Sequence, residues 1–233
     1  QEALETPSAG TLGGPVTGLA WRQWVDFVDG RRAFKKVFTV DEGLGPYFND
    51  TSCGGCHNSP TLGGRGANID AGIRTHAPPG DPHDTVGLRK HAVPGRSLEK
   101  PNGHVALRRT PPLFGIGLLD AMPQEAVLAN VDPDDRDKDG IRGVVNERSH
   151  PSQGVLTARF GAKAHEWNLW RFIGGALRDE MGITNLAARN QVDDGDKKGD
   201  PEAPDDYVAR VDAYVRNLAP PPRGPVTAAV REG

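Results

Sequence analysis

Cys53-Gly54-Gly55-Cys56-His57 holds both cysteines of this chain, and no other cysteine occurs in its 233 residues. No other feature restricts the possible folds as strongly. Two thiols one helical turn apart can reach the two vinyl groups of a haem, and the imidazole that follows then faces the iron. The competing uses of such a pair fit less well. A disulfide framework needs more cysteines at wider spacing. A structural zinc site needs about four ligands, and no second cysteine pair is present. A thioredoxin-like pair wants a strand leading into a helix, whereas the stretch from Asp41 to Thr51 is rich in turn residues. The pentapeptide therefore predicts one covalent haem c, attached through Cys53 and Cys56 with His57 as proximal iron ligand.

The composition suits a chain wrapped around a prosthetic group. Hydrophobic residues make up 36% of it, with 30 Gly and 20 Pro. That balance predicts long ordered loops rather than a sheet-rich core, the cofactor supplying part of the interior. A formal charge of −3 without any Lys/Arg block argues against nucleic acid as a partner. No apolar run approaches the ~20 residues that span a bilayer. The chain opens at Gln1 without a signal-like segment, as a processed mature form would, so a periplasmic or other extracytoplasmic location and redox partner proteins are expected.

The expected fold is mainly α, a cytochrome c-like haem domain with long ordered loops and little strand. Residues 1–17 lack periodicity and look like a flexible arm, residues 18–219 form the haem domain, and the Pro-rich stretch 220–233 is a tail. Trp21, Trp24, Val25 and Val28 recur at helical spacing, with Gly30 as the expected stop and a short second helix around Phe34, Val37 and Phe38. From Asn58 to about Val105 no period is sustained, and residues 107–119 look like a buried extended segment. A short helix is expected from Pro123 to Val131. The clearest helix is 164–181, with Leu169, Phe172, Ile173, Ala176 and Leu177 as an apolar stripe and Gly182 as its stop. After an acidic loop over 189–204, Asp205 caps a last helix that faces inward through Val208, Val211, Val215 and Leu218.

Several stretches carry a family resemblance. Gly43-Leu44-Gly45-Pro46-Tyr47-Phe48-Asn49 leads into Ser52-Cys53 and Cys56-His57. Arg109-Thr110-Pro111-Pro112-Leu113, Gly115-Ile116-Gly117-Leu118-Leu119, Asp132-Pro133-Asp134, Arg159-Phe160-Gly161 with Lys163-Ala164, and Met181-Gly182-Ile183-Thr184 follow in order. Over about residues 40–185 the chain resembles the first haem domain of the bacterial di-haem oxidoreductases, which are related to di-haem cytochrome c peroxidases. The resemblance implies a second haem motif downstream, and these 233 residues hold a single such motif, the one at Cys53–His57. Tyr214 to Pro222 looks like the lead-in to the other half. The chain is then either part of a two-haem protein or a single-haem relative.

Secondary sites are weighed against plainer roles. Asp135, Asp137, Asp139 and Gly140 spell the start of a calcium loop, although its twelfth position is Asn146 rather than a bidentate Glu; a solvated acidic turn is the alternative. Arg109, rather than Arg108, is the choice for pairing with a haem propionate, since an Arg fork matches a carboxylate. Phe48 and Phe114 are the aromatic candidates for the haem pocket, with Leu113, Ile116, Leu118 and Leu119 as aliphatic ones. His76, His83, His91, His104, His150 and His165 are scattered in polar loops, and Glu125, Glu147 and Glu166 are undistinguished as acid–base groups.

The sixth iron position separates the possible functions. Met122 ranks first as distal ligand, following His57 by 65 residues in a loop, with His104 second and Met181, an extension of the helical stripe, third. A closed His/Met iron suits electron transfer, the favoured role. An open iron would suit a peroxidase-like oxidoreductase, the N-terminal half of a di-haem enzyme. A third possibility is an accessory haem subunit of a larger redox complex.

Overall fold

The computed structural model describes residues 2–66, 73–76, 86–98, 100, 105–150, 152–161, 164–187 and 201–232. His83, His104, Lys163 and most of the acidic 189–204 loop lie outside that set. The fold is mostly helical, with short strands and long loops. Its helices are α1 (Glu2–Glu5), α2 (Trp21–Lys35), α3 (Cys53–Cys56), α4 (Ile116–Ala121), α5 (Gln124–Leu128), α6 (Leu169–Met181), α7 (Asp205–Arg216) and α8 (Ala228–Glu232). The strands are β1 (Tyr47–Phe48), β2 (Ile73–His76), β3 (Val86–Leu88), β4 (His91–Ala92), β5 (Val105–Arg108), β6 (Asn146–His150) and β7 (Gly154–Ala158). The pairings between these strands are antiparallel: β1 with β4, β2 between β3 and β5, and the hairpin β6–β7.

Helices α2 and α7 cross at the centre of the molecule, and the crossing explains an unexpected helix length. Gly30 does not stop α2, which runs on through Phe34 to Lys35. A Cβ at Gly30 would collide with the Arg210 carbonyl oxygen and lie 2.9 Å from the Cβ of Tyr214. The glycine therefore sits mid-helix because α7 passes directly over it. The Tyr214 ring fills the space beside the crossing, 4.9 Å from Phe27 and 5.0 Å from Phe34 between ring centres. The inward face of α2 is thus Phe27, Val28, Ala33 and Phe34. Trp21, which begins the periodic run, stacks on Trp24 and is 73% exposed.

Helix α6 starts where the Asn168 side chain accepts the Arg171 amide at 2.9 Å, a standard N-cap. It ends at Gly182, which is left-handed at φ 70°. The last two carbonyls of α6 are not left orphaned. Gly45 N–H donates to Met181 O at 3.0 Å and Asn49 N–H donates to Glu180 O at 2.6 Å. The segment that leads into Cys53 is thereby tied to the end of α6.

Residues 107–119 depart from the expected buried extended segment. Pro111 and Pro112 follow the end of β5, and α4 begins at Ile116. Gly117 lets α4 lie against the end of α7, since a Cβ there would collide with the Arg216 carbonyl. The side of α4 turned to the core is consequently its glycine, and Leu118 and Leu119 are 58% and 47% exposed. Asp120 pairs with Arg216 and accepts the Leu169 amide at 2.9 Å, which joins α4, α6 and α7. From the first seventeen residues, Pro15 is fully buried, Val16 N–H donates to Asn217 O at 2.8 Å, and Gly14 O accepts from Ala219 N–H at 2.9 Å.

Candidate functional site

Cys53 to Cys56 form the single turn α3, capped by Ser52, whose hydroxyl accepts the Gly55 amide at 3.0 Å. Gly55 leaves room for the Asp50 carboxylate, which a Cβ there would displace. His57 N–H closes the turn on Cys53 O at 3.0 Å. The His57 ring is oriented by its Nδ1, which lies 3.1 Å from the carbonyl of Gly64. With Nδ1–H donating to that oxygen, Nε2 keeps the lone pair that a metal needs. Burial holds the imidazole below its ordinary pKa, against the opposing pull of the Gly64 and Pro111 carbonyls. The carbonyl that holds the ring is itself held. Ser59 and Arg65 exchange amide bonds at 2.9 and 2.8 Å across the loop, and the Tyr214 hydroxyl donates to Leu62 O at 3.1 Å. The α2–α7 crossing thus sets the histidine through Tyr214.

Both thiols are free and partly buried. Burial pushes Cys53 up to about 12; burial, then the negative charge of Asp50, pushes Cys56 up to about 11. They open onto a cavity that holds about 740 Å³ of space free of protein atoms, part of it open to solvent. Its wall takes Phe34 from α2 and Val211 and Val215 from α7. Its largest share comes from α6, where Leu169, Phe172, Ile173, Ala176, Leu177, Glu180 and Met181 recur every three or four residues. Asp50, Ser52, Thr110 and Glu180 are its polar members. The Asn49 side-chain amide donates to Glu180 Oε2 at 2.5 Å and its oxygen accepts Lys90 N–H at 3.0 Å. Burial nevertheless keeps the Glu180 carboxyl above the usual carboxylate pKa. Two thiols without a disulfide, an imidazole with one nitrogen held, and an apolar cleft beside them form a donor set and a wall that fit a covalently attached haem.

The other residues singled out in the sequence are placed as follows. Leu113 and Thr110 line the cavity, while Arg109 between the strand β5 and Thr110 is exposed. Phe48 and Phe114 pack against the core but are not part of the cavity wall; the Phe48 ring lies 5.3 Å from that of His91. Met122 also lies outside the wall. It follows α4, is 39% exposed, and its carbonyl accepts Arg159 Nη1 at 2.5 Å. Met181 is 4% exposed and lines the cavity. Phe34, Phe172 and Glu180 were not expected in the site. Their signal was present as helical periodicity, which states that a face is apolar without stating what it faces.

Asp135, Asp137 and Asp139 bring one carboxylate oxygen each within 4.8 Å of the others. Asp135 and Lys138 adopt left-handed φ values of 52° and 62°, and Asp135 Oδ1 accepts Gly140 N–H at 3.1 Å. Three carboxylates held so closely repel unless solvent or a cation compensates them. Calcium is expected to raise the melting temperature, because a ligand selective for the folded state stabilises it. Identical melting curves in chelator and in millimolar calcium would leave a solvated acidic turn.

A helical fold with a Cys-x-x-Cys-His turn opening onto an apolar cleft defines a haem-binding, cytochrome-like protein. The family model described as "Di-haem oxidoreductase, putative peroxidase" matches residues 73–196, just over half of the chain. The chain belongs to that family. No curated protein and no solved structure matches it. The matched region contains α6, which supplies the largest share of the cavity wall, and begins after the pentapeptide. Among the described residues no helix is long and apolar enough to cross a membrane.

Proposed function

We propose that this chain is a haem domain of a peroxidase-like di-haem oxidoreductase, carrying one haem c on Cys53 and Cys56 with His57 as proximal ligand and relaying electrons in the periplasm or another extracytoplasmic compartment. The observation that carries this reading is the convergence of both thiols and the imidazole on one apolar cavity. When bound, the haem supplies one-electron redox chemistry; the protein supplies attachment, orientation and a dry wall. Gly64 O fixes the imidazole, and α6 excludes water along one side. The family favours a domain working within an oxidoreductase over a free-standing carrier. Redox partner proteins, or a second haem centre, are the exchange partners in this reading.

A second reading rests on Glu180. A carboxyl whose pKa is raised by burial, in the wall of a haem cavity, suits acid–base work on a bound peroxide. It requires an open sixth position, so a five-coordinate high-spin optical spectrum would favour it.

Intact-mass spectrometry of protein matured in a strain competent for haem c assembly tests the main claim. The expected mass under denaturing conditions is that of the polypeptide plus one haem. An unmodified polypeptide from such a strain refutes covalent attachment.

A further inference from the structure

Among the described residues the cavity wall contains one more donor suited to iron. We propose that the thioether sulfur of Met181 is the second axial ligand of the haem, opposite in role to His57, so that the iron of this domain is closed to substrate. The inference rests on the covalent haem proposed above.

Three observations carry it. Apart from the motif's own cysteines and histidine, the described wall offers carboxylates, hydroxyls and one thioether, and Met181 is that thioether. Thioether and imidazole are ligands that hold haem iron in six-coordinate electron-transfer sites, whereas hydroxyls and carboxylates bind it weakly. Met122, the other methionine of the chain, is exposed after α4 and outside the wall.

The third observation is positional. A ligand must be held at a set place relative to the attachment points, or its binding costs the ordering of a loop. Met181 is the last residue of α6, and the Gly45 amide fixes its carbonyl at 3.0 Å. Asn49 bonds the carbonyl just before it, and four residues further on the chain enters α3. The backbone that presents the sulfur is therefore tied to the backbone that presents the thiols. Gly182 pins the same corner from the other side, since a Cβ there would collide with the Gly45 carbonyl. A core methionine with only a packing role has no need of this connection, although it is compatible with one.

The experiment uses the haem-loaded wild type, Met181→Leu and Met122→Leu, with covalent haem in each checked by intact mass. Leucine keeps the volume and apolar character of methionine and removes the sulfur. Ferric wild type should show the weak near-infrared sulfur-to-iron band. Met181→Leu should lose it, show a lower reduction potential, and gain the spectrum of an open or water-bound iron, while Met122→Leu should retain both band and potential. In the reduced wild type, one methionine methyl should carry the large ring-current shift of an iron-bound thioether in the proton NMR spectrum. That signal needs no variant, so a poorly folded Met181→Leu would not remove the test. Wild type with one covalent haem but neither band nor shifted methyl overturns Met181 ligation and leaves the haem assignment standing. Loss of the band in Met122→Leu instead also overturns it. Wild type without covalent haem overturns the haem assignment, and this inference with it.

Discussion

Gly30→Ala should destabilise the haem-loaded protein by about 2 kcal/mol, and Gly175→Ala should stabilise it. Both glycines lie inside helices, α2 and α6, where alanine is intrinsically better by about 1 kcal/mol. At Gly175 a Cβ would meet nothing within 4 Å, so the intrinsic gain of about 0.5–1 kcal/mol should appear in full. At Gly30 it would strike the Arg210 carbonyl, which is helix backbone and cannot swing aside. Forcing packed elements apart costs about 1–3 kcal/mol, more when backbone must move, and this outweighs the propensity term. For a chain of this size the midpoint should fall by about 4–8 °C for Gly30→Ala and rise slightly for Gly175→Ala. Thermal melts followed by circular dichroism will show it. Equal shifts of one sign would mean that the α2–α7 crossing does not limit stability.

The larger effect is expected from removing the attachment points. Cys53→Ala/Cys56→Ala should carry no covalent haem by intact mass and should melt about 8–16 °C below wild type. The wall side chains Phe34, Leu169 and Leu177 are fixed in the core cluster while facing a cleft. Without the macrocycle they lose packing partners on that side. A ligand present at about a thousand times its dissociation constant stabilises by about 4 kcal/mol, and a tethered one does at least as much. At about 2–4 °C per kcal/mol for this length, a drop of about 8–16 °C follows. A variant that lacks haem yet melts within a degree or two of wild type would show that the cleft is not a haem pocket.

Three parts of this protein could be read without a structure. Cys53, Cys56 and His57 are close together in the chain, so the haem attachment proposed for them rests on local spacing, and the structure adds that all three line one cavity. The helices α6 and α7 are legible for a related reason. Their stripes repeat every three to four residues, and Gly182 marks the end of α6 as expected; α6 starts at Leu169 rather than at 164, and Asp205 is the first residue of α7 rather than its cap, that position being Pro204. The family resemblance, carried by runs such as Met181-Gly182-Ile183-Thr184, is sequence information by nature, and the family match bears it out.

What each face packs against was decided by the tertiary structure. Gly30 has the local signature of a helix stop, but α7 crossing over it makes a side chain impossible and the helix continues. Leu118 and Leu119 are apolar enough for a core, yet Gly117 is what allows α4 to approach α7, and the leucines turn outward. Met122 and Met181 differ little as residues; burial in the cavity wall distinguishes them, and that depends on α6 being tied to the Gly45–Asn49 segment. Periodicity records that a surface is buried, because the cost of exposing apolar groups acts on each residue separately. The identity of the partner surface depends on steric fit between segments more than a hundred positions apart, such as Gly30 and Tyr214, and no local pattern encodes it.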